Sequence, residues 1–117
     1  MCNSDTGRKW NMDFQQCYQY IGTVFYEHDF SDIGKNFSAL ITIKSKESDY
    51  IFLSYIDGQK YMTPKCHKSA NIFLTMSIET FEEIVNGSLD SFKAFTTGKI
   101  QAKGNVVLAM SIYNSFK

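Results

Sequence analysis

The chain has 117 residues, 12 basic and 12 acidic side chains, and 44% hydrophobic residues, which is typical of one soluble globular domain. Because the charge is balanced and Arg8 is the only arginine, the composition argues against binding of nucleic acid. Aromatic residues make up 15% of the chain, enough either to line a cavity or to fill a closed core.

The three cysteines are odd in number and have no metal-ligand spacing: Cys2, Cys17 and Cys66. Free thiols in a reducing cytoplasm are the simplest interpretation. His67 beside Cys66 supplies only two ligands, so we expect neither a metal nor a cofactor. Residues 1–10 do not resemble a signal peptide, and no apolar run approaches the ~18 residues of a membrane span. We therefore expect a cytoplasmic protein.

The first half of the chain begins with a predicted flexible tail at 1–10 and a helix from residue 11 to about 28. Either Asn11 or Asp13 can cap this helix, and its apolar residues recur at three- and four-residue steps. Alternating apolar residues then predict strands, and Asp57-Gly58 is a strong turn signal between the second and third. The predicted strands are 37–44, 50–56, 60–63 and 71–76.

The second half is predominantly helical by its caps and glycines. Ser77 and Asp90 are placed as N-caps, whereas the glycines at 87, 98 and 104 lie at element ends, where a positive φ is wanted. Glu82 and Glu83 are expected to face water. The predicted elements are helices 78–86, 90–97 and 106–116, with a strand at 99–103.

This order, α-β-β-β-β-α-α-β-α, predicts an α+β fold with helices gathered on one face of a mainly antiparallel sheet. We assign residues 11–117 to a single domain.

Several stretches of the second half resemble the sterol carrier protein 2 family. They run from Asn71 to Phe116 and are similar to the family pattern "strand, T-M-S, helix, G-x-L-N/D-P, A-F-x-x-G-K". Ser91 stands where the family often has a proline. The matching stretches are Ile72 to Ser77, Gly87 to Asp90, Ala94-Phe95, Gly98 to Ile100 and Gly104-Asn105.

The resemblance implies a five-stranded twisted sheet covered on one face by helices, with a hydrophobic tunnel between them. It implies a non-catalytic carrier whose partner is an apolar lipid of the fatty acyl, isoprenoid or sterol-like kind. Transient membrane contact is compatible with this, and the oligomeric state stays open. Core and tunnel use the same residue types, so we expect about half of the candidates to be plain core. The candidate ligand-binding residues are Ile41, Ile43, Leu74, Met76, Phe81, Phe92, Phe95, Ile100, Leu108, Ile112 and Phe116.

Two other functions compete with the carrier. An enzyme is disfavoured because His28 and His67 fit no triad or metal motif. An accessory role, in which the domain binds a protein of a lipid or quinone pathway, is the stronger alternative. Trp10, Tyr50 and Tyr55 would then be the exposed aromatics of the interaction surface.

Overall fold

The structure is a computed structural model that describes residues 13–31 and 36–109. The predicted tail and two of the candidate residues, Ile112 and Phe116, lie outside this part of the chain. The elements, in chain order, are α1 Phe14–Glu27, β1 Phe37–Lys44, β2 Ser48–Ile56, β3 Gln59–Thr63, β4 Ile72–Ser77, α2 Ile78–Val85, α3 Ser91–Thr96 and β5 Gln101–Gly104. Residues 106–109 are again helical, so the predicted order of elements is confirmed.

The five strands form one sheet in the order β3-β2-β1-β4-β5. Three of the four neighbouring pairs are antiparallel, and β1 pairs with β4 in parallel. The α+β class with a mainly antiparallel sheet is therefore confirmed. The parallel pair arises because residues 64–71 carry the chain from the β3 edge past β2 and β1 before β4 begins.

Alternation along the central strands divides the sheet into two faces. The face toward the helices, here called the helix side, is apolar and largely buried. It consists of Ala39, Ile41 and Ile43 of β1, Ile51 and Leu53 of β2, and Ile72, Leu74 and Met76 of β4.

The other side of the sheet, here called the opposite face, carries a smaller apolar row. Leu40 pairs with Phe52 on one side and Phe73 on the other, and both Leu40 and Phe52 are buried. The ring of His67, from the connection between β3 and β4, stacks on Phe52 with 4.1 Å between ring centroids.

Local capping determines where the helices begin. Asp13 accepts a hydrogen bond from the Gln16 backbone N–H at 2.9 Å, and its own N–H donates to the Gln16 side chain at 3.0 Å. This capping box explains why α1 begins at Phe14. Ser77 and Asp90 cap α2 and α3 as predicted.

Gly104 joins the last strand to the final described turn of helix. Its φ is +87°, and a Cβ at this position would overlap the backbone oxygen of Asn71. That oxygen accepts a hydrogen bond from the Asn105 N–H at 2.8 Å, and the Asn105 side chain caps the helix by accepting from the Leu108 N–H at 3.0 Å. A glycine is therefore required where β5 leads into the final described turn of helix.

Three predictions about individual positions were wrong. Glu82 is only 5% exposed rather than facing water. Tyr55 lies on the helix side, where its ring stacks on Phe37 at 5.6 Å. The last strand begins at 101 rather than 99, because the N–H groups of Lys99 and Ile100 both donate to the Ala94 carbonyl at the end of α3. No helix in the described ranges is long and apolar enough to cross a membrane.

Candidate functional site

A cavity of about 510 Å³ lies between the helix side of the sheet and the helices above it. This volume is within the range of small-molecule sites in proteins, roughly 300–1,000 Å³. Its lining comes from three strands (β1, β2 and β4) and from α1, α2 and α3, with one residue of the loop after α1 and one of the final turn. The lining residues are Tyr20, Ile21, Val24, Phe25, Phe30, Phe37, Ala39, Ile41, Leu53, Ile72, Leu74, Met76, Phe81, Ile84, Ser91 and Ala109.

The roof of this cavity is the inner stripe of α1. Val24 and Phe25 follow Ile21 by three and four residues, which places all three on one helix face. Cys17 continues the same stripe and is fully buried. The apolar residues whose periodicity predicts the helix are therefore also the residues that cover the cavity.

One end of the cavity is closed by packed aromatic rings. Phe30 is 1% exposed, and its ring lies 5.6 Å from Phe25, 5.3 Å from Phe37 and 5.5 Å from Tyr55. Aromatic pairs at these separations are favourable beyond their buried area. This end is therefore a packed wall rather than an opening.

Lys60 fastens the same wall to the end of α1. Its Nζ donates hydrogen bonds to the backbone oxygens of Tyr26 and His28 and lies 5.2 Å from the centre of the Phe30 ring. A cation is favourable here because the carbonyls at a helix C-terminus carry partial negative charge. The ammonium group serves the fold and does not line the cavity.

A second, smaller cavity of about 110 Å³ lies under α3. It shares Leu74, Ser91 and Ala109 with the larger one, so the two spaces adjoin at these three residues. Its remaining lining residues are Phe92, Phe95, Ile100 and Ala102.

The site reaches the surface beside α1 and α3. Tyr20 lines the larger cavity and is 44% exposed, with its ring edge-on to Phe81 at 5.8 Å. Phe92 lines the smaller cavity and is 45% exposed. The aromatic side chains of the two helices thus stand at the boundary between cavity and solvent.

The structure places the candidate ligand-binding residues in two groups. Two of them, Ile43 and Leu108, are buried in the packed core and line neither cavity. Whether the others touch a ligand stays a prediction. The candidates that line a cavity are Ile41, Leu74, Met76, Phe81, Phe92, Phe95 and Ile100.

Sequence reasoning missed the contribution of α1 and the residue at the junction of the cavities. The apolar stripe of α1 was the available signal, but it indicates burial and not what the helix covers. Ser91 gave no signal of its own beyond being a serine where the resembling family often has proline.

The titratable groups lie mostly away from the cavity. His67 lies on the opposite face of the sheet, against Phe52. Burial, and then the nearby carboxylates of Asp13 and Glu82, raise the pKa of the Cys17 thiol from 9.0 to about 11, which makes it a poor nucleophile. The described residues contain no cluster of three side chains able to hold a metal ion.

A model of the SCP-2 sterol transfer family matches residues 32–117. Peroxisomal multifunctional enzyme type 2 of Mus musculus is 38% identical over 55 residues, which cover 47% of this chain and 7% of the enzyme. A fatty acid-binding protein of Yarrowia lipolytica is 40% identical over 60 residues, 51% of this chain and 45% of that protein. The matches thus span less than half of either relative.

The fold also has a solved counterpart. The solution structure of sterol carrier protein domain 2 of Helicoverpa armigera aligns with a TM-score of 0.67 and 24% identity, over 86% of this chain and 84% of that one. This likeness shows a shared fold.

Proposed function

Because this chain belongs to the SCP-2 sterol transfer family, we propose that it binds an apolar lipid in the cavity between sheet and helices and releases it unchanged. The candidate ligands are fatty acyl, isoprenoid and sterol-like molecules. The similarity to a protein named for fatty acid binding supports this class. The observation that carries the proposal is the 510 Å³ cavity, whose described lining is almost entirely apolar.

Elementary energetics permit binding that is both favourable and reversible. Burying one methylene contributes about 0.8 kcal/mol, so a sixteen-carbon chain contributes about 13 kcal/mol. Immobilising the two partners and ordering the chain cost about 4–15 kcal/mol. The difference leaves room for an affinity that retains a lipid in transit and still lets it leave.

The proposal includes no chemical step. The lining offers aliphatic and aromatic side chains with two hydroxyl groups, and the Cys17 thiol has a raised pKa. The free thiols of Cys17 and Cys66 are in keeping with action in the cytoplasm, which we include in the proposal.

The alternative accessory role, in which the domain binds a protein partner, has less support in this structure. Of the aromatics expected at its surface, Tyr55 packs against Phe30 and Phe37, and Tyr50 is half-buried. Trp10 lies outside the described residues. A stable partner found in a pull-down from the native source, together with an empty cavity, would restore that interpretation.

The direct test is native mass spectrometry of the freshly purified protein, followed by organic extraction and lipid identification. We expect an added mass that disappears on denaturation and belongs to an apolar lipid. If the mass is that of the bare chain, and added fatty acids, phospholipids and sterols do not change it, the carrier proposal is wrong.

A pair of variants tests whether the lipid occupies this cavity. Ala109 lines both cavities, so the ring of Ala109→Phe would occupy the space where they meet. Val107, in the same helical turn, is 79% exposed, which makes Val107→Phe the matched control. We expect the first variant to retain at least tenfold less lipid and the second to behave as wild type. Equal retention by both would place the lipid elsewhere.

A further inference from the structure

Two hydroxyl groups interrupt the apolar lining of the site. Ser91 and Tyr20 are the only described lining residues with an oxygen atom in the side chain. Ser91 lines both cavities, whereas Tyr20 stands where the larger one meets solvent. The site therefore has one polar group where the two cavities adjoin and one at its edge.

The fold makes no evident use of the Ser91 hydroxyl. Asp90 caps α3 by accepting a hydrogen bond from the Lys93 N–H at 3.0 Å, so Ser91 occupies the first helical position. That position needs no side-chain hydrogen bond and readily accepts proline. Within the described residues the Ser91 hydroxyl makes no hydrogen bond. A polar group at a cavity wall without a protein partner is available to a ligand.

We propose that Ser91 is the hydrogen-bonding position for a single uncharged oxygen group of the bound lipid, a hydroxyl or an ester carbonyl. This inference rests on the proposed lipid-carrier function and adds the chemistry of the ligand's polar group. A hydroxyl both donates and accepts, so Ser91 can pair with either group. The pairing offsets the desolvation that a lipid oxygen suffers among aliphatic and aromatic side chains.

The same lining disfavours a charged head group inside the site. An ionised carboxylate or phosphate in an apolar cavity needs a cationic partner, and the described lining holds no lysine, arginine or histidine. The cation at the closed end, the Lys60 ammonium, is already hydrogen-bonded to the carbonyls of Tyr26 and His28. A charged head group is therefore expected to stay outside, beside Tyr20.

The test uses an uncharged apolar fluorescent probe that carries no oxygen atom, 1,6-diphenylhexatriene, and its displacement by 1-hexadecanol, methyl palmitate and ionised palmitate. Four proteins are compared: wild type, Ser91→Ala, Ser91→Thr and Thr96→Ala. Thr96 is on the same helix and exposed, so its variant controls for loss of a hydroxyl as such.

We expect Ser91→Ala to bind the probe as wild type does and to bind 1-hexadecanol about threefold to tenfold more weakly, the loss of one neutral hydrogen bond. Ser91→Thr, which keeps a hydroxyl, and Thr96→Ala should bind both as wild type. A matching loss for methyl palmitate would assign a carbonyl as well as a hydroxyl ligand. Palmitate should be insensitive to Ser91→Ala.

Two outcomes would overturn the inference in distinguishable ways. If wild type binds both probe and alcohol, and Ser91→Ala binds the alcohol equally well, then Ser91 does not hold the polar group while the carrier function stands. If wild type binds neither probe nor any lipid, the carrier function fails and the inference fails with it.

Discussion

The substitution Gly104→Ala tests how the sheet edge supports the cavity. Alanine at a φ of +87° costs about 1 kcal/mol relative to glycine. Its Cβ would also push the Asn71 carbonyl away. This would disturb two backbone hydrogen bonds, from the Asn105 N–H to the Asn71 carbonyl at 2.8 Å and from the Asn71 N–H to the Ser38 carbonyl at 3.0 Å. At about 1 kcal/mol each, the total loss in the free energy of unfolding is about 3 kcal/mol.

Gly98→Ala is the matched control for this experiment. Gly98 has a φ of +84°, and a Cβ added there would meet nothing within 4 Å. Only the backbone penalty of about 1 kcal/mol should remain. The two glycines thus share a conformation and differ in their surroundings.

The assay is urea denaturation followed by circular dichroism. With a slope of about 1–3 kcal/mol/M for a domain of this size, Gly104→Ala should lower the midpoint by about 1–3 M, and Gly98→Ala by a third of that. Gly104→Ala should also retain less lipid, because Asn105 caps the helical turn that carries Ala109. Equal midpoints for the two variants would refute the role assigned to the close approach at Asn71.

Two further predictions concern Lys60 and Cys17. Lys60→Met should lower the free energy of unfolding by about 1–3 kcal/mol, because the carbonyls of Tyr26 and His28 lose their hydrogen-bond donor. The control Lys93→Met, at an exposed position of α3, should change it by less than about 0.5 kcal/mol. Equal urea midpoints for the two variants would contradict this prediction. The pKa of the Cys17 thiol in the folded protein, about 11, exceeds its ordinary value of 9.0. As the pH rises, the unfolded chain therefore loses this proton before the folded protein does. The contribution of the thiol to stability is complete below about pH 9 and falls between pH 9 and 11. Cys17→Ala should lack that component, and identical pH profiles for variant and wild type would show the pKa to be unperturbed.

Local chemistry explains which parts of the fold were predictable from the sequence. Asp57 and Gly58 have φ values of 52° and 80°, the two positive values that a type I′ hairpin turn requires. Ser77 and Asp90 cap their helices through a hydrogen bond three residues away. Each of these decisions involves residues within one turn of chain, so the sequence pattern carries the information.

The errors lie where distant segments meet. Glu82 has an acidic neighbour and a helical position typical of a solvated face, yet it is buried near Cys17 of α1 and near Asp13, the N-cap of that helix. Nothing within α2 indicates that the start of α1 comes to lie there. For Tyr55 the signal was present, since it alternates with Ile51 and Leu53, whose side chains point to the helix side.

The sequence gives little information on which apolar residues line the cavity and which belong to the packed core. Ile41 and Ile43 occupy the same face of the same strand, but only Ile41 lines the cavity. The difference depends on how far each helix stands from the sheet, which is set by the sum of many side-chain volumes rather than by any one residue. Ser91 shows the same limit, because its importance comes only from its position between two spaces.

The apolar row on the opposite face, formed by Phe52, Leu40 and Phe73, has a consequence for the cavity on the helix side. A cavity forfeits packing contacts on the helix side, and in the proposed carrier function its contents would change as lipid enters and leaves. The opposite face, with the His67 ring on Phe52 and Leu40 buried beside it, does not take part in that exchange. Because Phe52, Leu40 and Phe73 line neither cavity, we expect their packing behind the strands to keep the sheet ordered whether the cavity is filled or empty.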